Sequence, residues 1–212
     1  GKAQLQRLKQ QAMAQVILDA KVKQLAKQND ITVSDKAITD QITLLKNQNR
    51  LGNSDSVFKD VLSEFWGWNV SDFRRALKQQ LLQQAVVGKL DTSANGRANE
   101  AQKQLIAGKD FATVATTYTD DIGTKASGGV YPNAITVGSR DVHPALTNEM
   151  FKLKPNQISG IIRAGNSLEI VRVIDNNGTT VHAAHIQFNL GNVNDYVKTN
   201  QKSSQVHTYI KV

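Results

Sequence analysis

The 212-residue chain contains no cysteine, so disulfides and thiol chemistry are excluded. That absence suits an exported bacterial protein and equally many cytosolic ones. No apolar run approaches the ~20 residues that a membrane-spanning helix needs. The opening GKAQLQRLKQQ is polar and helix-like, without the apolar stretch of an export signal. The chain could therefore be a mature form, or a piece cut from behind a signal or membrane anchor that would keep it near a membrane. No RNP, zinc-finger or helix-turn-helix signature occurs, which argues against a nucleic-acid partner. There is no internal repeat.

With 40% hydrophobic and 21% charged residues, the composition is that of a globular chain with enough length for one large or two small domains. The net charge of +8 is unevenly placed. Residues 93–189 carry nine Lys/Arg against eight Asp/Glu, so +7 falls on the remainder. Such a basic lobe could favour acidic membranes or acidic clients, or simply be a solvated surface rich in Lys and Gln.

The first ninety residues read as helices. Leu5, Leu8, Ala12, Val16, Val22 and Leu25 recur at helical steps and predict one long amphipathic helix. After QNDITVSD, Ser34 is a candidate N-cap with Asp35 in the first turn. The next helix carries Ile38, Ile42 and Leu45 and should stop near Gly52. A shorter one covers about Asp55–Glu64, and Ser71 is taken as the cap of a helix holding Phe73, Leu77, Leu81 and Leu82. FWGW (Phe65 to Trp68) could be an exposed patch for clients, but helix-packing core is the preferred reading. DTSANG reads as a turn, RANEAQKQLIAG as a helix closed by Gly108, and DFATVATTY as another helix. Glycine-rich loops follow, then two strands, SLEIVRVI and VHAAHIQF, joined by DNNGTT as a hairpin. The tail reads as a short helix and a strand alternating Val206, Thr208, Ile210 and Val212.

AQKQLIAGKDFATVATTYTDDIGTKASGG together with EMFKLKPNQISGIIRAGNSLEIVRVI resembles the parvulin-type peptidyl-prolyl isomerases over roughly residues 97–188. The N-terminal helices resemble, less specifically, the chaperone lobe of SurA-like and PrsA-like foldases. The implied fold class is α+β: a helical lobe (1–92), an inserted parvulin-like antiparallel sheet flanked by helices (93–189), and a C-terminal helix and strand (190–212) suited to packing back on the lobe. A parvulin normally opens with a strand bearing His-Ile. Here that strand, AAHIQF, comes last, so the domain reads as circularly permuted. The alternative is that AAHIQF begins a second, truncated parvulin.

Hairpin register decides what His185 meets. A three-residue loop Asn176-Asn177-Gly178 pairs Asp175 with Thr179 and sets Glu169 directly opposite His185. A two-residue Asn177-Gly178 turn would pair Ile170 with His185 and send Glu169 to the other face. We expect the first.

The resemblance implies His185 as the first of the family's paired histidines and Asp121 as its acid. Val142 and Leu146 stand at the methionine and phenylalanine positions of the proline pocket, with Phe151 as the pocket's other aromatic. Glu169 replaces the second histidine, Ala164 a hydroxyl residue, Ser167 a glycine, and Tyr131 a glycine of the Gly-Gly loop. The expected site is thus catalytic His185, Asp121 and Glu169, with substrate against Val142, Leu146, Phe151 and Tyr131. Glu169 beside His185 would favour a charged imidazole. Asp120-Asp121 could instead simply cap a helix end. His182 points to the opposite face from His185, and no carboxylate or histidine stands at metal-ligand spacing from His143 or His207 in the sequence, which argues against a zinc site; no cofactor is expected. The function implied is an extracytoplasmic foldase of the bacterial cell envelope, in the periplasm or at the cell surface, that binds unfolded or proline-containing polypeptides. The competing readings are a non-enzymatic holdase and a surface-assembly protein with one dedicated partner.

Overall fold

The structure, a computed structural model, describes residues 1–47, 51, 52 and 54–199. The expected strand from Val206 to Val212, and His207, lie outside the described residues.

Four helices build the first lobe. Helix α1 (Lys2–Gln28) forms over its full expected length, yet only Val22, Leu25 and Ala26 are buried. Leu5, Leu8 and Val16 are more than half exposed, so the N-terminal part of the expected apolar stripe is not buried among the described residues. Helix α2 (Asp35–Asn47) is capped by Ser34, whose Oγ accepts from the Ala37 N–H at 3.1 Å. Helices α3 (Asp55–Trp66) and α4 (Val70–Leu90) complete this layer. Ile38, Ile42, Phe58, Leu62 and Leu77 close a core between α2, α3 and α4.

Three readings of this lobe need correction. The cap of α4 is Asn69, not Ser71. Asn69 Oδ1 accepts from the Asp72 N–H at 3.0 Å and Asp72 returns the bond to the Asn69 N–H at 3.2 Å. That reciprocal pair satisfies two end donors, which Ser71, already inside the first turn, cannot do. The FWGW stretch is not core: Phe65, Trp66 and Trp68 are 75%, 50% and 40% exposed, because α3 ends at Gly67 (φ 64°) and turns them outward. DTSANG is not a turn. Asp91 caps it from its own side chain, and it becomes the first turns of α5 (Thr92–Ile106).

Beyond α5 come α6 (Phe111–Tyr118), a one-turn α7 (Ile122–Lys125), β1 (Ile135–Thr136), α8 (Pro144–Met150), β2 (Ile162–Ala164), β3 (Ser167–Asn176), β4 (Thr180–Asn189) and α9 (Val193–Thr199). The short α7, α8, β1 and β2 lie where only glycine-rich loops were read. The strands form one antiparallel sheet, in the order β1-β4-β3-β2. On one face Leu168, Ile170, Ile186 and Phe188 pack against Ala98, Ala101 and Leu105 of α5 and Phe111 and Val114 of α6. On the other, Val171, Val173, Val181 and Ala183 pack with Ile135, Val142, Leu146 and Met150. Because both faces are covered, β3 and β4 are buried almost continuously rather than in alternation. Helix α9 returns to the first lobe, where Val197 joins Val22, Leu25 and Val86.

The hairpin register also differs from expectation. The turn sits one residue later, at Asn177-Gly178-Thr179, and a bulge falls between Val173 and Asp175. Asparagine side chains fix this turn: Asn177 Oδ1 accepts from the Thr179 and Thr180 N–H groups, and Asn176 Oδ1 from Gly178. His185 consequently faces Val171, and Glu169 faces Gln187. The two displacements add to an even number, so Glu169 and His185 stay on one face and meet diagonally.

Candidate functional site

The site is assembled where the segment after α6 runs along β4. Asp120 donates its N–H to the Gln187 carbonyl at 2.7 Å, and the Gln187 N–H donates to Thr119 Oγ1 at 3.0 Å. Arg97 of α5 grips the Asp120 carboxylate with both terminal nitrogens, at 2.7 and 2.5 Å, and the Asn189 N–H donates to the same carboxylate. The Arg97 guanidinium, and after it these backbone contacts, hold Asp120 below the usual carboxylate range against the opposing effect of burial. Asp120 is thereby a fastener for its neighbour.

Asp121 caps α7 and also reaches the sheet. Its Oδ1 accepts from the Gly123 N–H at 3.0 Å, and its Oδ2 accepts from Thr124 Oγ1 at 2.6 Å. His185 Nε2 lies 3.0 Å from the same Oδ2 and 3.1 Å from the Thr124 hydroxyl. On the other side of the ring, Nδ1 lies 2.8 Å from Glu169 Oε2, and Ser167 Oγ lies 2.8 Å from Glu169 Oε1. Both ring nitrogens therefore face carboxylate oxygens, which, when ionised, only accept. Burial alone would raise the Asp121 pKa, but the Thr124 hydroxyl, the Gly123 N–H and His185 outweigh it and hold the group below its ordinary value. The His185 and Glu169 side chains are 5% and 6% exposed, against 29% for Asp121. The acid is the accessible end of the chain of contacts.

Tyr131 covers the imidazole. Its ring stacks on His185 with centroids 4.2 Å apart and planes 21° apart. Its backbone N–H donates to the Ala183 carbonyl at 3.0 Å. Burial pushes the phenol strongly upward, and the Glu169 and Asp121 carboxylates add to that. The residue before the loop, Gly129, allows this approach: its φ is +85°, and a Cβ there would stand 2.1 Å from the His185 carbonyl oxygen.

The structure thus brings His185, Asp121, Glu169 and Tyr131 into contact. Val142 and Leu146 lie in the apolar cluster against which Tyr131 and Phe151 also pack, but they are themselves 6% and 2% exposed. Asp121 proves to be both a cap and a partner of His185. Thr124, which the sequence reading missed, bridges the two. Its signal was there, since a hydroxyl three residues after a capping Asp is placed to meet that Asp.

Residues 81–175 match the family described as Rotamase, the PPIC-type PPIase domain. The match takes in Asp121, Thr124, Tyr131 and Glu169, and stops before the strand that carries His185. The Chaperone SurA of Thiobacillus denitrificans is 30% identical over 125 residues, 51% of this chain and 24% of that protein. The Chaperone SurA of Aromatoleum aromaticum is 35% identical over 83 residues, 39% of this chain and 18% of that protein. The chain thus spans about a quarter or less of the length of these curated relatives. Among solved structures, PrsA from Bacillus subtilis aligns with a TM-score of 0.38 at 16% identity, over 98% of this chain and 89% of that one. PrsA from Streptococcus pneumoniae aligns with a TM-score of 0.29 at 19% identity, over 90% and 78%.

Proposed function

We propose that the chain, whose residues 81–175 match the PPIC-type, or parvulin, family of peptidyl-prolyl isomerase domains, is a foldase. Its sheet domain accelerates cis/trans exchange of Xaa-Pro bonds, and its helical lobe holds unfolded polypeptide. The reading extends to an extracytoplasmic setting in a bacterial envelope, by likeness to the SurA chaperones. The observation that carries it is the chain of contacts Glu169–His185–Asp121, with Thr124 at the junction, inside a domain of that family.

Exchange breaks no covalent bond; the barrier is the double-bond character of the planar amide, ~18–20 kcal/mol. The planar form carries negative charge on its carbonyl oxygen, and the twisted form carries less. An ionised carboxylate facing that oxygen disfavours the planar form more than the twisted one, which is selective binding of the transition state. Asp121 is the group for this, being ionised and accessible. His185 positions it, and Glu169 positions His185. We further propose a permuted order of the domain, with β4 as the displaced first strand. Its support is that β3 and β4 are antiparallel neighbours joined by a tight hairpin.

A protease-coupled isomerisation assay on a short Xaa-Pro peptide tests this. Uncatalysed exchange takes tens to hundreds of seconds, and the chain should shorten it in proportion to its concentration. Asp121→Ala should reduce kcat/KM by about 10²-fold, the scale of a lost electrostatic contact at a reacting group. A wild-type rate equal to background removes the isomerase function. A rate that survives Asp121→Ala and His185→Ala removes the site. One observation favours a second reading, a holdase whose sheet domain binds without catalysis: Tyr131 lies flat over His185 and covers one face of the imidazole. That reading requires background isomerisation together with suppressed aggregation of an unrelated unfolded protein.

A further inference from the structure

Among the described residues, no counter-charge meets one cationic group in the seam between the two lobes. Arg163 of β2 reaches across to α4, where its guanidinium lies over Gly88; a Cβ at that position would sit 1.9 Å from Nη1. Only a residue without a side chain admits it in this pose. Its Nε and Nη2 are closed off from solvent and have no hydrogen-bond partner. Burial lowers the pKa of the guanidinium, as expected of a cation without an anion nearby.

Arg163 lines a cleft of about 1000 Å³ between α2 and α4 on one side and α8 on the other. The ionisable groups lining it besides Arg163 are Asp40 and Lys152, and both are engaged, Asp40 with Lys36 and Lys152 with Glu149. A second hollow of about 460 Å³ adjoins along α4, and Gln84 lines both. Much of the remaining lining consists of side-chain amides, among them Gln41, Asn148, Gln80, Gln83 and Asn166, beside apolar Leu44 and Leu81. Amide side chains offer both donors and acceptors, which is what an extended backbone requires.

We propose that this seam binds an extended polypeptide segment and that Arg163 anchors a carboxylate within it. Because a second hollow adjoins the cleft along α4, the segment runs on past the anchor, and we assign the carboxylate to an internal Asp or Glu side chain and not to a chain terminus. Because those nitrogens are sealed in this pose, binding swings the guanidinium off Gly88 toward the acid, which then supplies the bonds they lack. The inference rests on the polypeptide-binding part of the proposed function and is independent of the isomerase site.

Fluorescence anisotropy on the full chain with three labelled octapeptides tests it. They are identical except that one has a central Glu and an amidated end, one a central Gln and an amidated end, and one a central Gln and a free carboxyl end. The Glu peptide should bind about tenfold more tightly than the amidated Gln peptide, the worth of one charge-assisted contact. Arg163→Met, which keeps length and removes charge, should abolish that difference while leaving Xaa-Pro turnover of a tetrapeptide unchanged. Asn148→Trp, at an exposed position on the cleft wall, should weaken the Glu peptide without touching Arg163. Equal affinity for the three peptides, or a difference that survives Arg163→Met, overturns the anchor. Preference for the free carboxyl end alone overturns the internal assignment. Loss of isomerase turnover in the wild type bears on the proposed function and leaves this inference standing.

Discussion

His185 sits between two carboxylates in a nearly closed site, and its removal is costly for that reason. His185→Ala should strand Glu169 and Asp121 without their shared partner and destabilise the fold by about 3–5 kcal/mol, the range for a broken buried pair, readable as a fall in the urea midpoint. Acid acts on the same cluster. The Arg97 fork holds Asp120 low, while at Asp121 burial is outweighed by Thr124, Gly123 and His185. A carboxylate whose folded pKa lies below its unfolded value of about 3.9 stabilises fully above that value and loses the contribution as pH falls through the folded one. Stability should therefore drop between about pH 5 and pH 2, and an Asp120→Asn, Asp121→Asn variant should show a shallower drop in chemical-denaturation curves across that window. At this scale the motif in the sequence, YTDD with AAHIQF and SLEI, was enough to bring Asp121, His185 and Glu169 together. Thr124 was legible from its place three residues after a capping Asp, though it was missed; the burial of Val142 and Leu146 was not, because it depends on how α8 seats against the sheet.

At the scale of elements, capping and parity account for what could and could not be read. Helices with a strong cap and apolar steps, α2 and α6, were clear from sequence. The first turns of α5 were hidden, since Asp, Thr, Ser, Asn and Gly favour turns until Asp91 finds the Ala94 N–H. The hairpin was legible but its register was not, because asparagine side chains and a bulge each shift it. Two variants probe these devices. Asn69→Ala removes the side-chain half of the reciprocal cap, leaving the Asp72 N–H without its acceptor, and should lower stability by about 1 kcal/mol, measured by thermal unfolding. Gly129→Ala meets both a positive φ and the His185 carbonyl, which accepts no compromise from a flexible side chain. It should cost about 3 kcal/mol, from left-handed strain and displaced backbone, and should weaken the Tyr131–His185 stack, visible as a change in near-UV circular dichroism.

For the whole molecule, the junction between lobes rests on Asp91, 7% exposed. Its carboxylate accepts from the Ala94 N–H at 2.8 Å, where the chain leaves the helical lobe, and from the Gly191 N–H at 2.8 Å, where it returns. Burial would raise its pKa, but these bonds and the Tyr196 hydroxyl outweigh it. Asp91→Ala should leave the buried Ala94 N–H and the part-buried Gly191 N–H without their acceptor and cost about 2 kcal/mol, seen by calorimetry as a lower melting temperature for the helical lobe. The sequence suggested a division near residue 92 by its change of grammar; this fastening was not readable, because its two ends are a hundred positions apart in sequence. The fastening confers a kind of modularity. With both crossings tied at one carboxylate, the intervening stretch is a closed side loop on the helical lobe. Lengthening, shortening or replacing that stretch leaves the span the lobe must close unchanged. The helical lobe is in that sense a socket, into which a different domain of similar end-to-end spacing could be grafted.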